Sequence, residues 1–239
     1  MFRNEKQTPR RRATGFTLVE LMVVIVILAL LIGILLPSFS AVRAAARDAR
    51  VRARISELSS GAMAYKNDNG YYPGQRYSGE LTTYTGSQVL GVSLFGYGYN
   101  QIELVATVPV EPRYAPVRAD DLPWTDEEMA KYPAANGERR TTIDRFGGGN
   151  DRPILYYPSR LGVIGLSQYQ QGDNDEYTGG LSWASPEGSA TGQAGFQNYV
   201  KDRRFAGNAS TTPYRDGEFL LIGAGVDRTF GTADDNHNW

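Results

Sequence analysis

The chain has 239 residues, 41% of them hydrophobic and 21% charged, a composition suited to one or two globular domains. No Cys and a single His, His237, exclude disulfides, cysteine nucleophiles and zinc sites built from several imidazoles. The formal charge of −1 is unevenly spread: residues 1–54 carry +7 and residues 55–239 carry −8, which argues against nucleic acid as a partner of the acidic body.

The first element follows a basic leader, residues 1–15, of charge +4. Phe16–Leu36 is a 21-residue apolar run with one charge, Glu20. As a helix it would extend about 31 Å, the thickness of a bilayer core, and it predicts a transmembrane segment. A cleaved secretory signal would be shorter and would place its small residue after the apolar run. Here Gly15 stands before it. Residues 41–54 also carry +4, so the positive-inside count nearly balances. The short leader is the easier end to keep in the cytoplasm, which favours the N-terminus inside and the acidic remainder outside.

Glu20 is out of place, because a carboxylate near the start of a membrane helix costs on the order of 2–3 kcal/mol. It either sits at headgroup depth or has a function. The string Gly15-Phe16-Thr17-Leu18-Val19-Glu20-Leu21, after basic residues and before an apolar helix, resembles the type IV prepilin signal. That resemblance implies cleavage by a membrane-embedded prepilin peptidase between Gly15 and Phe16, then N-methylation of Phe16. It further implies that Glu20 pairs with the Phe16 amino group of a neighbouring subunit during filament assembly. In hydrocarbon an ammonium and a carboxylate each need a partner, and stacked helices supply one. Pro37 matches the family's helix-disturbing proline just past the membrane segment.

The helix is predicted to continue through residues 37–66. Phe39, Val42, Ala46, Ala49 and Ala53 repeat at helical spacing, as do Ile55, Leu58, Ala62 and Tyr65 after a phase slip. Arg43, Arg47, Arg50 and Arg54 fall on another face. Asn67-Asp68-Asn69-Gly70-Tyr71-Tyr72-Pro73 stacks turn residues and ends the helix. The same stretch resembles the end of the long helix in major pseudopilins of type II secretion.

Residues 74–142 read as a variable insertion rich in Tyr, Gly and Pro, with strands at Val89–Leu94 and Ile102–Val110 and a helix at Asp120–Lys131. Asp144-Arg145-Phe146-Gly147 followed by Arg152-Pro153-Ile154-Leu155-Tyr156-Tyr157 resembles the pseudopilin Asp-Pro-Trp-Gly…Pro…Tyr pattern that leads into a strand. Gly147-Gly148-Gly149 lacks the Lys-Ser/Thr of a phosphate loop and reads as a turn. Residues 168–213 read as a second, polar insertion, with Asp173-Asn174-Asp175-Glu176 as solvated surface.

Glu218–Gly223 predicts a buried strand with a Gly stop. Beyond it Asp227, Asp234 and Asp235 place three carboxylates within nine residues, which repel one another unless solvated or held by a cation. Ca²⁺ takes six to eight oxygens, and such a loop can supply carboxylates and carbonyls, although EF-hand spacing is absent. The segment 223–239 resembles the calcium-binding C-terminal loop of major pseudopilins. The resemblance makes Asp227, Asp234, Asp235 and the carbonyl of Ala224 the calcium ligands and matches Asn238-Trp239 to the family's terminal pair. Arg228 stands where the family has Gly. Lone His237 has no Gly-x-Ser-x-Gly partner and reads as surface. Trp239 reads as a packing anchor.

These resemblances imply an α+β pilin-like fold, a long helix against a small antiparallel sheet, with a head at 67–239. They imply a non-catalytic, inner-membrane, single-pass subunit with a periplasmic head. It would polymerise with itself and work with other pseudopilins and the inner-membrane secretion platform to help export folded proteins. Two readings remain open on sequence alone: a type IV pilin for adhesion, motility or DNA uptake, and a signal-anchored periplasmic binding protein or enzyme. The absence of Cys favours the pseudopilin, since surface pilins usually close a C-terminal loop with a disulfide.

Overall fold

A computed structural model describes residues 15, 17–76, 85–95, 114–116, 122–123, 140–141, 143–144 and 152–239. The chain forms two compact units, one ending at Arg43 and one from Ala44 to Trp239. Helix α1, Leu18–Asn69, is 52 residues long and passes through Pro37 without a break. Its start is a capping box: the Thr17 amide donates to Glu20 Oε2 at 2.9 Å, and the Glu20 amide donates to Thr17 Oγ1 at 3.3 Å. Its end falls where the Asn-Gly signal placed it. Gly70 takes a left-handed φ of 82° and its amide donates to the Lys66 carbonyl at 2.7 Å.

Helix α2, Gly86–Phe95, replaces the strand expected at Val89–Leu94. The deciding signal is another capping box, with the Thr85 amide donating to Gln88 Oε1 and the Gln88 amide to Thr85 Oγ1. A helix also turns Leu90, Leu94 and Phe95 together into the core, where all three are fully buried. Of the helix expected over Asp120–Lys131, only Leu122–Pro123 is described, and it is not helical. It forms strand β1 and pairs antiparallel with β2, Arg140–Thr141. The strand expected over Ile102–Val110 and the turn at Gly147–Gly149 lie outside the described residues.

The short strands β3, Ile143–Asp144, and β4, Arg152–Pro153, pair with each other and lead into the sheet at the heart of the head. That sheet joins β5, Leu155–Pro158, to β8, Phe219–Gly223, and β8 to β9, Asn236–His237, all antiparallel. The two-residue pair between them in sequence is β6, Ser182–Trp183, with β7, Ala190–Thr191. Every residue of β5 and β8 is buried, so alternation along the strands feeds two cores rather than one core and solvent. On one face Ile154, Tyr156, Phe219 and Leu221 meet Val51, Ile55, Leu58 and Ala62 of α1 and Leu90, Leu94 and Phe95 of α2. On the other, Leu155, Tyr157, Leu220 and Ile222 meet Tyr169, Trp183, Phe196 and Val200. Each large side chain so buried contributes roughly 1.5–3 kcal/mol of transfer free energy.

The second core corrects the reading of residues 168–213 as polar loop. They carry α3, Asp175–Thr178, the β6–β7 pair, and α4, Gly192–Val200. Nor is Asp173-Asn174 solvated surface, because both side chains are fully buried. Asp173 forms an ion pair with buried Arg160. Asn174 donates to the Tyr156 carbonyl at 2.9 Å, and its Oδ1 accepts from the Ser87 amide at 3.2 Å. Desolvating those polar groups is tolerable only with partners, and Arg160 supplies one for Asp173 while α2 and β5 supply those of Asn174. Asp175 and Glu176 are exposed, as expected.

Candidate functional site

Two regions hold the residues singled out by sequence. In the first, Leu18–Leu35 is a helical stretch long and apolar enough to cross a membrane, and none of it is buried within the protein. Leu18, Val26, Leu30 and Ile34 are each about two-thirds exposed or more. An apolar cylinder of this kind is stable only in lipid or against other helices. Glu20 is exposed at its start, and its Oε2 accepts hydrogen bonds from the Thr17 amide and the Thr17 hydroxyl, the latter at 2.7 Å. Gly15 is exposed, and Phe16 lies outside the described residues.

The second region is the loop of residues 224–235 that joins β8 to β9 in the sheet. Ala224 is buried at its root. Gly225 comes next, and a Cβ there would run into the carbonyl and carboxylate of Asp234, so the loop closes on itself at this point. The Asp227 amide donates to Asp234 Oδ2 at 3.1 Å, and Thr232 Oγ1 donates to Asp234 Oδ1 at 2.7 Å. Asp227 Oδ1 accepts from the Thr229 amide at 2.8 Å in an Asx turn. Arg228 sits between them at a φ of 61°, a conformation that suits glycine and costs other residues about 1 kcal/mol. The backbone therefore explains why the resemblance places Gly at this position.

Asp235 points inward. Its Oδ2 accepts from the Gly231 amide at 2.7 Å, the Thr232 amide at 3.2 Å and the Tyr199 hydroxyl at 2.7 Å. Its Oδ1 is buried without a hydrogen-bond partner, in a residue only 8% exposed. Burial pushes the Asp235 carboxyl up to about 6, against the pull of the Tyr199 hydroxyl and of the Gly231, Gly225 and Thr232 amides. The structure thus links Asp227, Asp234 and Asp235 through one hydrogen-bonded loop, but it does not gather their carboxylates. Among the described residues no group of three or more His, Cys, Asp or Glu side chains is clustered to hold a metal ion.

His237 is exposed and stacks on Trp239 with ring centres 4.2 Å apart, while Tyr214 stacks on Trp239 at 5.4 Å. Trp239 is the anchor that sequence suggested. Tyr199 and Trp183 were not legible as parts of this region. Trp183 fills the space against Gly231, where a Cβ would lie 2.9 Å from its Cε3.

The prokaryotic N-terminal methylation motif family matches residues 10–36. The chain is 31% identical over 147 residues to type II secretion system core protein G of Klebsiella michiganensis, covering 59% of this chain and 87% of that one. The core protein G of Dickeya chrysanthemi is 32% identical over 146 residues, covering 59% and 80%. Type IV wide pilus major component PilA4 of Thermus thermophilus is 40% identical over 62 residues, covering 26% and 47%. No solved structure matches the chain.

Proposed function

The chain belongs to the family of type II secretion system core protein G, and on that premise we propose that it matures at Phe16, crosses the inner membrane once with its head in the periplasm, and polymerises through α1. It is a pseudopilin, a filament-forming subunit of a type II secretion system, anchored by its N-terminal helix. The observation that carries polymerisation is the wholly exposed apolar helix Leu18–Leu35 with an exposed carboxylate at its start. Membrane insertion satisfies the first, and a neighbouring subunit's N-methylated Phe16 amino group satisfies the second. Lateral packing of such helices, with other pseudopilins and the inner-membrane platform as further partners, builds the filament that helps move folded proteins outward. No reaction is assigned to it.

Intact-mass analysis of the chain purified from membranes tests the first step. The expected mass is that of residues 16–239 plus one methyl group. Retention of Met1–Gly15 would overturn the proposal.

Calcium is the second part of the reading. Asp227, Asp234, Asp235 and the Ala224 carbonyl would hold the ion, whose binding would have to draw together carboxylates that the loop does not gather by itself. The support is the resemblance of the loop's acids to the calcium-binding loop of major pseudopilins, whose carboxylates and carbonyls are hard oxygens of the type Ca²⁺ takes. The tight approach of Gly225 to Asp234, which keeps the loop's two ends together, adds to it. A head locked by this loop would present one fixed surface to its neighbours.

A further inference from the structure

Helix α1 carries a second pattern on the stretch just beyond its apolar span. Residues 37–56 hold five arginines, Arg43, Arg47, Arg50, Arg52 and Arg54, and one acid, Asp48, so this stretch has a net charge of +4. Arg52 takes that acid at 2.9 Å. Arg43, Arg47, Arg50 and Arg54 follow at spacings of 4, 3 and 4, which sets them on one side of the helix. Like charges so spaced repel, and the stripe costs helix stability unless something anionic meets it.

The stripe is divided. Arg54, its last member, is buried, and its guanidinium donates to Glu57 at 2.7 Å and to the Pro116 carbonyl at 3.1 Å. Inside the head, therefore, an arginine of this stripe has an acid and a carbonyl of its own. Arg43 and Arg50, earlier on the helix, are exposed, and Arg47 between them is half-buried. The apolar surface runs up to them: Phe39 and Val42, past the end of the span at Leu35, are 58% and 64% exposed. Arg43 thus stands where that surface gives out, and Arg47 and Arg50 follow about 6 and 10 Å along the axis. Those steps are close to the roughly 8–10 Å Debye length of dilute salt. Helical side chains lean toward the N-terminus, here back toward the span, and the long stem of arginine carries its charge to the polar boundary.

We propose that Arg43, Arg47 and Arg50 form a basic stripe that binds the phosphates of anionic lipid headgroups, in the leaflet on the head's side of the membrane. The proposal rests on the membrane-crossing reading above. Charge complementarity and continuity with the apolar span select lipid as the occupant. Maturation at Phe16 would remove the basic leader, and residues 41–54 then carry the basic charge nearest the span. Each arginine at an anionic lipid surface is worth about fivefold in binding. A stripe at this level sets the depth at which the span rests.

The test uses the mature chain reconstituted into phosphatidylcholine bilayers with a trace of spin-labelled phosphatidylglycerol or spin-labelled phosphatidylcholine. Electron spin resonance reads the lipid held motionally restricted against the protein. Wild type should favour phosphatidylglycerol by about fivefold or more in dilute salt. The preference should fall toward parity in 1 M sodium chloride, where the Debye length is about 3 Å. The triple variant Arg43→Gln, Arg47→Gln, Arg50→Gln should hold the two lipids within about twofold of parity. The matching triple Lys variant should keep the preference, which separates charge from any change in the helix. A wild-type preference in the Gln variant would overturn the proposal. If that variant also lost crosslinked dimers that wild type forms, the stripe would belong to the acidic head of a second copy. Parity in wild type would overturn the lipid role while leaving the membrane span standing. No restricted lipid around wild type would overturn the membrane-crossing reading and this proposal with it.

Discussion

Glu20→Ala yields a chain that is cleaved and inserted normally and forms no filaments. The expectation follows from the energetics of one carboxylate. At the start of a membrane helix it costs on the order of 2–3 kcal/mol. The Thr17 capping box returns about 1 kcal/mol, since it satisfies end-of-helix donors. On the proposed pairing, the remainder is recovered when a cation from another subunit arrives, so removing the carboxylate would ease insertion and remove the electrostatic contact that would register one helix on the next. Glu20→Gln separates the two roles, because Gln retains the cap and loses the charge. Both variants should leave the sheared-filament fraction empty, with the mature mass unchanged apart from the substitution. Filaments at wild-type yield from Glu20→Gln would show that the cap, and not the ion pair, is what assembly uses.

The second large effect is in the head. Gly86→Ala should lower its stability by about 3 kcal/mol, the upper end of ordinary overpacking. A Cβ at Gly86 would fall well inside contact distance of the Tyr156 carbonyl oxygen and 2.9 Å from Asn174 Nδ2. Neither neighbour can retreat cheaply. Tyr156 lies in β5, paired with Leu221 of the central strand, and its hydroxyl donates to the Pro73 carbonyl at 2.8 Å. Asn174 is fully buried and bonded to both α2 and β5. For a chain of this length the loss corresponds to roughly 6–12 °C in the thermal midpoint. A midpoint within 2 °C of wild type would mean that α2 does not dock on β5 as described.

What sequence disclosed and what it hid divide along the range of the interactions. α1 was legible because its signals are local: an uninterrupted apolar run, repeats at helical spacing, and Asn69-Gly70 at the stop. The central strand β8 was legible as a short apolar run before Gly223. α2 reads as a strand in sequence because a short apolar segment fits helix or strand equally, and what decides between them is the Thr85–Gln88 box. The second core was hidden for a different reason. Tyr169, Trp183, Phe196 and Val200 are scattered among polar residues and become a cluster only when the sheet offers them its far face. Asp173 looked solvated because its partner, Arg160, lies 13 residues upstream. At the C-terminal loop the acids were visible in the sequence. Tyr199, 36 residues before Asp235, carries no local mark of its contact.

The claim on which the head's role turns is that a calcium ion closes the loop between β8 and β9. Thermal unfolding of the mature chain in detergent, with calcium and with chelator, tests it most directly. A ligand bound only by the folded state at about 100 times its dissociation constant adds roughly 2.7 kcal/mol. The wild-type midpoint should therefore rise by several degrees with calcium, and the double variant Asp234→Asn, Asp235→Asn should show no rise. Identical wild-type midpoints in calcium and chelator would contradict the account and leave residues 224–235 as a loop held by its own hydrogen bonds and the Tyr199 hydroxyl on Asp235.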